Sequence, residues 1–241
     1  MKKIRDLSVL SINSEQYLVI SCDSSGGIGN KLYDVVQIDP EIMGYYTAHV
    51  ALVEFLAFGI EPIGLVDGLA VELEPTGKKI ISGLNKACLE AGTKVITGST
   101  EENIPVVQTG VGVTAFGICL KLELEKKYTK RGIIYIWCRP FVGNEVMENK
   151  DMVMTINDVK TLRKLPYVQE IIPIGSKGIK YDLEKEFDFK KINLNKSIDI
   201  DLEKSSGPAT CAIVLVEEDF CDIFEKDMDN KYYKIGQYNR N

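Results

Sequence analysis

A chain of 241 residues with 45% hydrophobic side chains can bury one large core or two ordinary ones, and nothing in it is depleted enough to signal disorder. Its 29 Lys and Arg against 35 Asp and Glu leave a formal charge of −6, which argues against a general nucleic-acid binder. No apolar run reaches transmembrane length, the N-terminal apolar stretch is too short for a signal peptide, and the 6 irregularly spaced cysteines form no CxxC pair, so a soluble cytoplasmic protein with reduced thiols and without a zinc site or membrane contact is expected.

Residues 8–22 predict two strands around a turn at Asn13-Ser14-Glu15, followed by a glycine-rich loop from Asp23 to Lys31. Pro40 opens a helix, where its missing N–H costs nothing, and apolar residues at helical spacing carry it to Gly59. Ile63 to Leu73 predicts a strand. Pro75-Thr76-Gly77 begins a second helix, which ends near Ala91-Gly92, and strands at 94–97 and 106–120 complete the first half. The charged stretch Glu123 to Arg131 marks the domain boundary, giving domains over residues 1–125 and 126–241.

In the second half, Gly132 to Cys138, Ile171 to Ile174 and Thr210 to Val216 predict strands. Asn157 to Leu165, Ile179 to Phe187 and Glu217 to Glu225 predict helices, and Tyr232 to Tyr238 an edge strand. Strands and helices mix without strict βαβ alternation, so the class is α+β. There is no GxxxxGK[ST] phosphate loop, and Gly26-Gly27-Ile28-Gly29 lacks the spacing of a dinucleotide fingerprint.

The most informative stretch is Thr97-Gly98-Ser99-Thr100-Glu101-Glu102-Asn103, which reads as one turn between two strands holding a glycine, hydroxyls and adjacent carboxylates. Oxygen ligands at a sheet edge suit a hard cation such as Mg²⁺; alone the stretch reads rather as a solvated turn, and the acidic, glycine-rich stretches upstream turn the reading toward a Mg-nucleotide site. Asp34 and the Glu72/Glu74 pair read as solvated acids, with substrate contacts the alternative, and Glu54 as a polar position of an apolar helix facing water. His49, the single histidine, reads as a packing or hydrogen-bonded group at a helix interface.

Taken in order, these stretches resemble the aminoimidazole ribonucleotide synthetase (PurM-like) superfamily, which includes thiamine monophosphate kinase, selenophosphate synthetase and a hydrogenase maturation protein. The family's strand ending in an aspartate before a GVGTK-like loop is similar to Cys22-Asp23 followed by Gly27-Ile28-Gly29-Asn30-Lys31, with Ser24, Ser25 and Gly26 intervening. Its Val-Asn-Asp helix with a Gly-x-x-Pro turn resembles Val53-Glu54 through Gly59-Ile60-Glu61-Pro62, its Leu-Asp-Tyr strand resembles Leu65-Val66-Asp67-Gly68, and its Ser-Gly helix matches Ser82-Gly83-Leu84. Its GGETAEMP metal loop resembles Thr97 to Glu102, with Ser99 where the family has an acid, and Arg5-Asp6-Leu7 is similar to an acidic first-strand segment of the kinase branch. Cys22 to Gly29, Glu74 to Gly77 and Thr97 to Asn103 look closest to the α-ribazole kinase branch.

The resemblance implies a two-domain α+β fold, with a first domain that dimerises and a smaller second α/β layer. It implies an ATP- and Mg²⁺-dependent small-molecule kinase acting on a riboside. Asp6, Asp23, Glu54, Asp67 and Glu101 would then be metal ligands, with Asp23, Asp67 and Glu101 also serving catalysis. Gly26, Gly27, Gly29, Lys31, Ser99 and Thr100 would hold the nucleotide, and Glu102 and Asn103 the acceptor. Ile63 to Leu73 and Val106 to Leu120 would offer strand edges for a homodimer. Other reactions of the superfamily, such as a cyclo-ligation or the thiamine monophosphate kinase reaction, and a catalytically silent nucleotide-binding scaffold are the alternatives.

Overall fold

The computed structural model describes residues 2–124, 131–187, 189–195, 197–228 and 231–239. The chain divides into two compact units, Met1–Leu124 and Glu125–Asn241, and most of the charged boundary stretch lies outside the described residues.

The first unit contains strands β1 (Lys2–Ile4), β2 (Leu7–Ser11), β3 (Gln16–Gly26), β4 (Ile28–Gly29) and β5 (Val36–Gln37), then helix α1 (Pro40–Phe58). Strand β6 (Gly64–Leu69), a π-helical turn at Leu73–Gly77, helix α2 (Lys78–Ala91) and strands β7 (Val95–Ser99) and β8 (Gly110–Leu120) follow. The main sheet has the order β1-β2-β3-β8-β6-β7, with β4 and β5 as a separate short parallel pair. Only β6 and β7 pair in parallel in the main sheet, because α2 carries the chain back between them.

Helix α1 starts where the Asp39 carboxylate accepts the Glu41 N–H at 3.0 Å, with Pro40 at its first position, and Gly59 caps its end. It packs against β3, β8 and α2, so nearly every residue from Thr47 to Ala57 is buried. Glu54 is among them, which overturns the expectation of a water-facing acid: a helix enclosed by a sheet and a second helix has little solvent-facing side left. His49 is fully buried beside Tyr45 and Tyr46, with ring centroids 6.2 and 6.1 Å away, as a packing histidine should be.

Several boundaries differ from the sequence reading. Strand β3 continues through Asp23 to Gly26, because β8 offers a pairing partner at every one of its residues, so Asp23 lies in a strand and not in a loop. Strand β6 stops at Leu69 and β8 begins only at Gly110, while Thr97, Gly98 and Ser99 close β7 before the loop that leads to β8. Neither β6 nor β8 is an edge, since β8 lies between β3 and β6, and β6 between β8 and β7. The strand-edge argument for a dimer therefore fails. What remains uncovered by helices is the opposite sheet face, where Leu10, Ile118 and Leu120 are exposed.

The second unit contains β9 (Arg131–Cys138), α3 (Glu145–Glu148), α4 (Ile156–Lys164), β10 (Val168–Pro173), α5 (Gly178–Glu186), β11 (Ile192–Leu194), β12 (Cys211–Glu217), α6 (Cys221–Asp227) and β13 (Tyr232–Asn239). Its antiparallel sheet has the order β10-β12-β9-β13-β11. Strand β13 is thus an inner strand, because the short β11, absent from the sequence reading, covers its far side. Strands β9 and β12 are buried almost throughout, Trp137 included, which requires cover on both faces. All 6 cysteines are free thiols. No helix among the described residues is long and apolar enough to cross a membrane.

Candidate functional site

One end of the first unit's sheet collects the conspicuous side chains. Asp23 of β3 and Asp67 of β6 are each the cross-strand partner of Val113 on β8. Residues directly opposite in a ladder share a face, so both carboxylates stand on the helix side with Val113 between them. Two interstrand steps put their Cα atoms about 10 Å apart.

The two acids differ in their surroundings. Asp67 is 4% exposed. Its Oδ1 accepts the Gly98 N–H at 2.8 Å, and its Oδ2 is buried with no hydrogen-bond partner among the described residues. Burial raises its titration above the usual aspartate range, against the lowering effect of the Gly98 N–H. Asp23 is half-buried, and burial pushes its carboxyl up to about 6, opposed by the Ser24 N–H. Buried carboxylates with an orphaned oxygen are costly unless something positive completes them.

Gly98 is required by contact. A Cβ there would collide with the Asp67 carbonyl oxygen, at the irregularity where β7 shifts register against β6. The close approach is what lets its N–H reach the Asp67 carboxylate.

Three loops interlock beyond these strands. The segment after β3 is tied to the entrance of β8: Gly27 N–H donates to the Thr109 carbonyl at 2.9 Å, and Tyr33 N–H to the Val107 carbonyl at 3.1 Å. Asp34 holds this crossing. Its Oδ1 accepts the Thr109 N–H at 2.7 Å, and its Oδ2 accepts the Thr109 hydroxyl at 2.6 Å and the Lys31 N–H at 2.8 Å. The expectation of a solvated Asp34 is overturned, because these donors enclose its carboxylate and leave it 7% exposed. Gly29 has no space for a side chain, since a Cβ would meet Thr109 and the Asp34 carboxylate.

The acidic loop is tied to the segment after β6. Glu101 N–H donates to the Val71 carbonyl at 3.0 Å, and Glu102 Oε1 accepts the Leu73 N–H at 2.8 Å. Glu101 Oε1 accepts the N–H groups of Asn103 and Ile104 at 2.8 and 3.1 Å, which holds its carboxyl below the usual glutamate range. Both glutamates therefore stabilise loop backbone, each with one oxygen engaged in these bonds. Ser99 ends β7 and Thr100 starts the loop.

Of the sequence candidates, Asp23 and Asp67 share one sheet rung. Gly26 ends β3, Gly27 follows it, Gly29 ends β4 and Lys31 lies just beyond, while Ser99 ends β7 and Thr100, Glu101, Glu102 and Asn103 lie on the loop that follows. Asp6 is exposed in the turn between β1 and β2, and Glu54 is buried in α1. Among the described residues, no three His, Cys, Asp or Glu side chains gather as a metal cluster. Mg²⁺ retains waters and takes only one or two protein carboxylates beside phosphate oxygens, so the Asp23–Asp67 rung fits it while the full five-residue set does not form one cage.

Sequence reasoning missed the roles of Asp34, Glu72, Thr76 and Thr109. Lys31 Nζ pairs with Glu72 Oε2 at 2.7 Å, and the Thr76 hydroxyl donates to Glu72 Oε1 at 2.5 Å. Asp34 and Thr109 are 75 positions apart, so no local spacing signals that they meet.

Residues 5–119 match the family described as AIR synthase related protein, N-terminal domain. The chain is similar to a phosphoribosylformylglycinamidine cyclo-ligase of Lactococcus lactis subsp. lactis (strain IL1403), 30% identical over 100 residues that make up 40% of this chain and 28% of that protein. A cyclo-ligase of Ligilactobacillus salivarius (strain UCC118) is 34% identical over 100 residues, with the same coverage of 40% and 28%. The matches thus span under a third of those relatives' length. Among solved structures, the HypE-HypF complex superposes with a TM-score of 0.65 at 14% identity, over 97% of this chain and 87% of that one. AaThiL complexed with AMPPCP and TMP gives a TM-score of 0.63 at 13% identity, over 98% and 85%. T. maritima PurL complexed with ATP gives 0.61 at 14%, over 97% of this chain and 42% of that one. The chain has the PurM-like α+β fold.

Proposed function

We propose that this chain is a Mg²⁺- and ATP-dependent small-molecule kinase, phosphorylating the 5′-hydroxyl of α-ribazole. The observation that carries the metal-nucleotide reading is the buried, unpartnered Oδ2 of Asp67 on the same rung as Asp23. Hard oxygen donors with one unsatisfied buried atom suit a divalent cation, which would neutralise polyphosphate charge when bound. AMPPCP and ATP in structures of similar fold support the nucleotide part of the reading.

In this reading Asp23 and Asp67 hold the cation. Backbone N–H groups around Gly26, Gly27 and Gly29, with Lys31, meet the phosphates, aided by the hydroxyls of Ser99 and Thr100. Glu101 keeps its second oxygen for the metal side of the loop, while Glu102 and Asn103 face the acceptor. Catalysis of this kind rests on positioning and charge stabilisation more than on covalent chemistry. The apolar sheet face around Ile118 and Leu120 is the proposed homodimer surface.

A cyclo-ligase-like reaction is the second reading, favoured by the sequence match to two cyclo-ligases within the first half of the chain. ATP turnover with and without Mg²⁺ tests both. Turnover that requires α-ribazole supports the kinase, and turnover that requires formylglycinamidine ribonucleotide supports the ligase. Mg-ATP binding without turnover on either substrate leaves a silent nucleotide-binding scaffold.

A further inference from the structure

The Lys31 ammonium already has a partner. It donates to Glu72 Oε2 at 2.7 Å, and the Lys31 side chain is 15% exposed. Both members of the pair are held in place. Lys31 is anchored through its N–H to Asp34, which is itself locked to Thr109. The second Glu72 oxygen accepts the Thr76 hydroxyl at 2.5 Å, and the Glu72 carbonyl accepts the Gly77 N–H at 2.9 Å. Burial pushes the Glu72 carboxyl up, but the Lys31 ammonium and the Thr76 hydroxyl outweigh burial and hold it below the usual glutamate range. Glu72 is therefore an ionised, oriented carboxylate at neutral pH.

A fixed anion against this lysine changes what the loop can attract. Glu72 cancels most of the lysine's charge at short range, although an ammonium has three donors and the others stay available. A metal-free polyphosphate then gains little from Lys31 and meets repulsion from Glu72, with Asp23 and Asp67 on the same sheet end. A polyphosphate carrying a divalent cation escapes most of that repulsion and can still accept from the remaining Lys31 protons.

We propose that Glu72, through its pairing with Lys31, is a specificity-determining residue that makes the site take the divalent-metal complex of a nucleoside triphosphate and reject the metal-free nucleotide. This rests on the nucleotide-binding reading above.

Calorimetric titration of the full chain with ATP, once in excess Mg²⁺ and once in EDTA, tests it. The wild type should prefer Mg-ATP strongly. Glu72→Gln should tighten metal-free ATP about tenfold while changing Mg-ATP little, so that the ratio of the two affinities collapses. Glu72→Asp should keep the preference, and Thr76→Val, which frees the carboxylate to swing, should reduce it part way. An unchanged ratio in a folded Glu72→Gln protein overturns the proposal, as does an equal loss of both affinities, the signature of a mere brace. If Glu72→Gln does not fold, an unchanged ratio in Thr76→Val overturns it instead. A wild type that binds both forms equally refutes the selectivity but leaves nucleotide binding standing, whereas a wild type that binds neither refutes the nucleotide reading itself.

Discussion

Asp23 and Asp67 face the same residue from opposite sides: each pairs with Val113, so the two carboxylates stand on one rung and one face of the sheet. They come from strands 44 positions apart in the chain, the difference between their numbers. Only the insertion of β8 between β3 and β6 brings them level. The arrangement is held by pairing along the whole of β3, so the spacing is a property of the rigid sheet and not of loops.

Asp67→Asn should lower Mg-ATP affinity by on the order of a hundredfold, about 2–3 kcal/mol, the cost of losing one charge-assisted contact. The fold should survive, because the amide oxygen can still accept the Gly98 N–H. Calorimetry with Mg-ATP measures the affinity, and unchanged binding would remove Asp67 from the site.

Gly98→Ala should destabilise the first unit by about 1–3 kcal/mol through overpacking, since the new methyl meets the Asp67 carbonyl. Chemical denaturation gives the number. Nucleotide binding should fall in the same variant, because relief of the collision must move Gly98 N–H away from Asp67.

The Asp23 carboxyl should take stability from the ligand-free protein as pH rises from about 4 to 6. Folding raises the Asp23 carboxyl from 3.8 to about 6, so the folded state binds the proton more tightly than the unfolded chain. Its contribution is therefore fully present below the unfolded value and is lost as pH climbs through the folded one. Thermal midpoints of Asp23→Asn should show a flatter profile over that window, and Mg-ATP should restore stability to the wild type above it. A wild-type profile as flat as the variant's would contradict this.

Glu101→Ala should loosen the loop between Thr100 and Thr109, because the N–H groups of Asn103 and Ile104 lose their acceptor. Faster nicking there under limited proteolysis is the expected outcome. If Glu101 also serves the metal, turnover at fixed ATP should fall and recover at higher Mg²⁺; loosening without that recovery makes it a turn residue only.

Ile118→Lys should yield a monomer in light scattering at micromolar concentration, with secondary structure intact. Ile118 lies on the exposed apolar sheet face, where a lysine costs the isolated unit little but places charge in any self-paired surface. A wild type that is itself monomeric would end the dimer proposal.

The sequence alone determined what periodicity and punctuation encode. Pro40 and Gly59 bound α1, the turn at Asn13-Ser14-Glu15 separates β2 from β3, and the apolar runs of β9 and β12 are legible because short-range preferences suffice for them. The order of motifs also pointed to a PurM-like fold, since that order survives in one dimension. Tertiary structure decided the rest. Whether Asp23 belongs to a loop or a strand depends on β8 being present to pair with it. Whether Glu54 meets water depends on α2 and the sheet enclosing α1. Whether Asp34 and Glu72 are solvated depends on Thr109 and Lys31, which arrive from 75 and 41 positions away. Burial and ion pairing are set by neighbours in space, and a carboxylate's spacing in the chain carries no record of which strand will lie beside it.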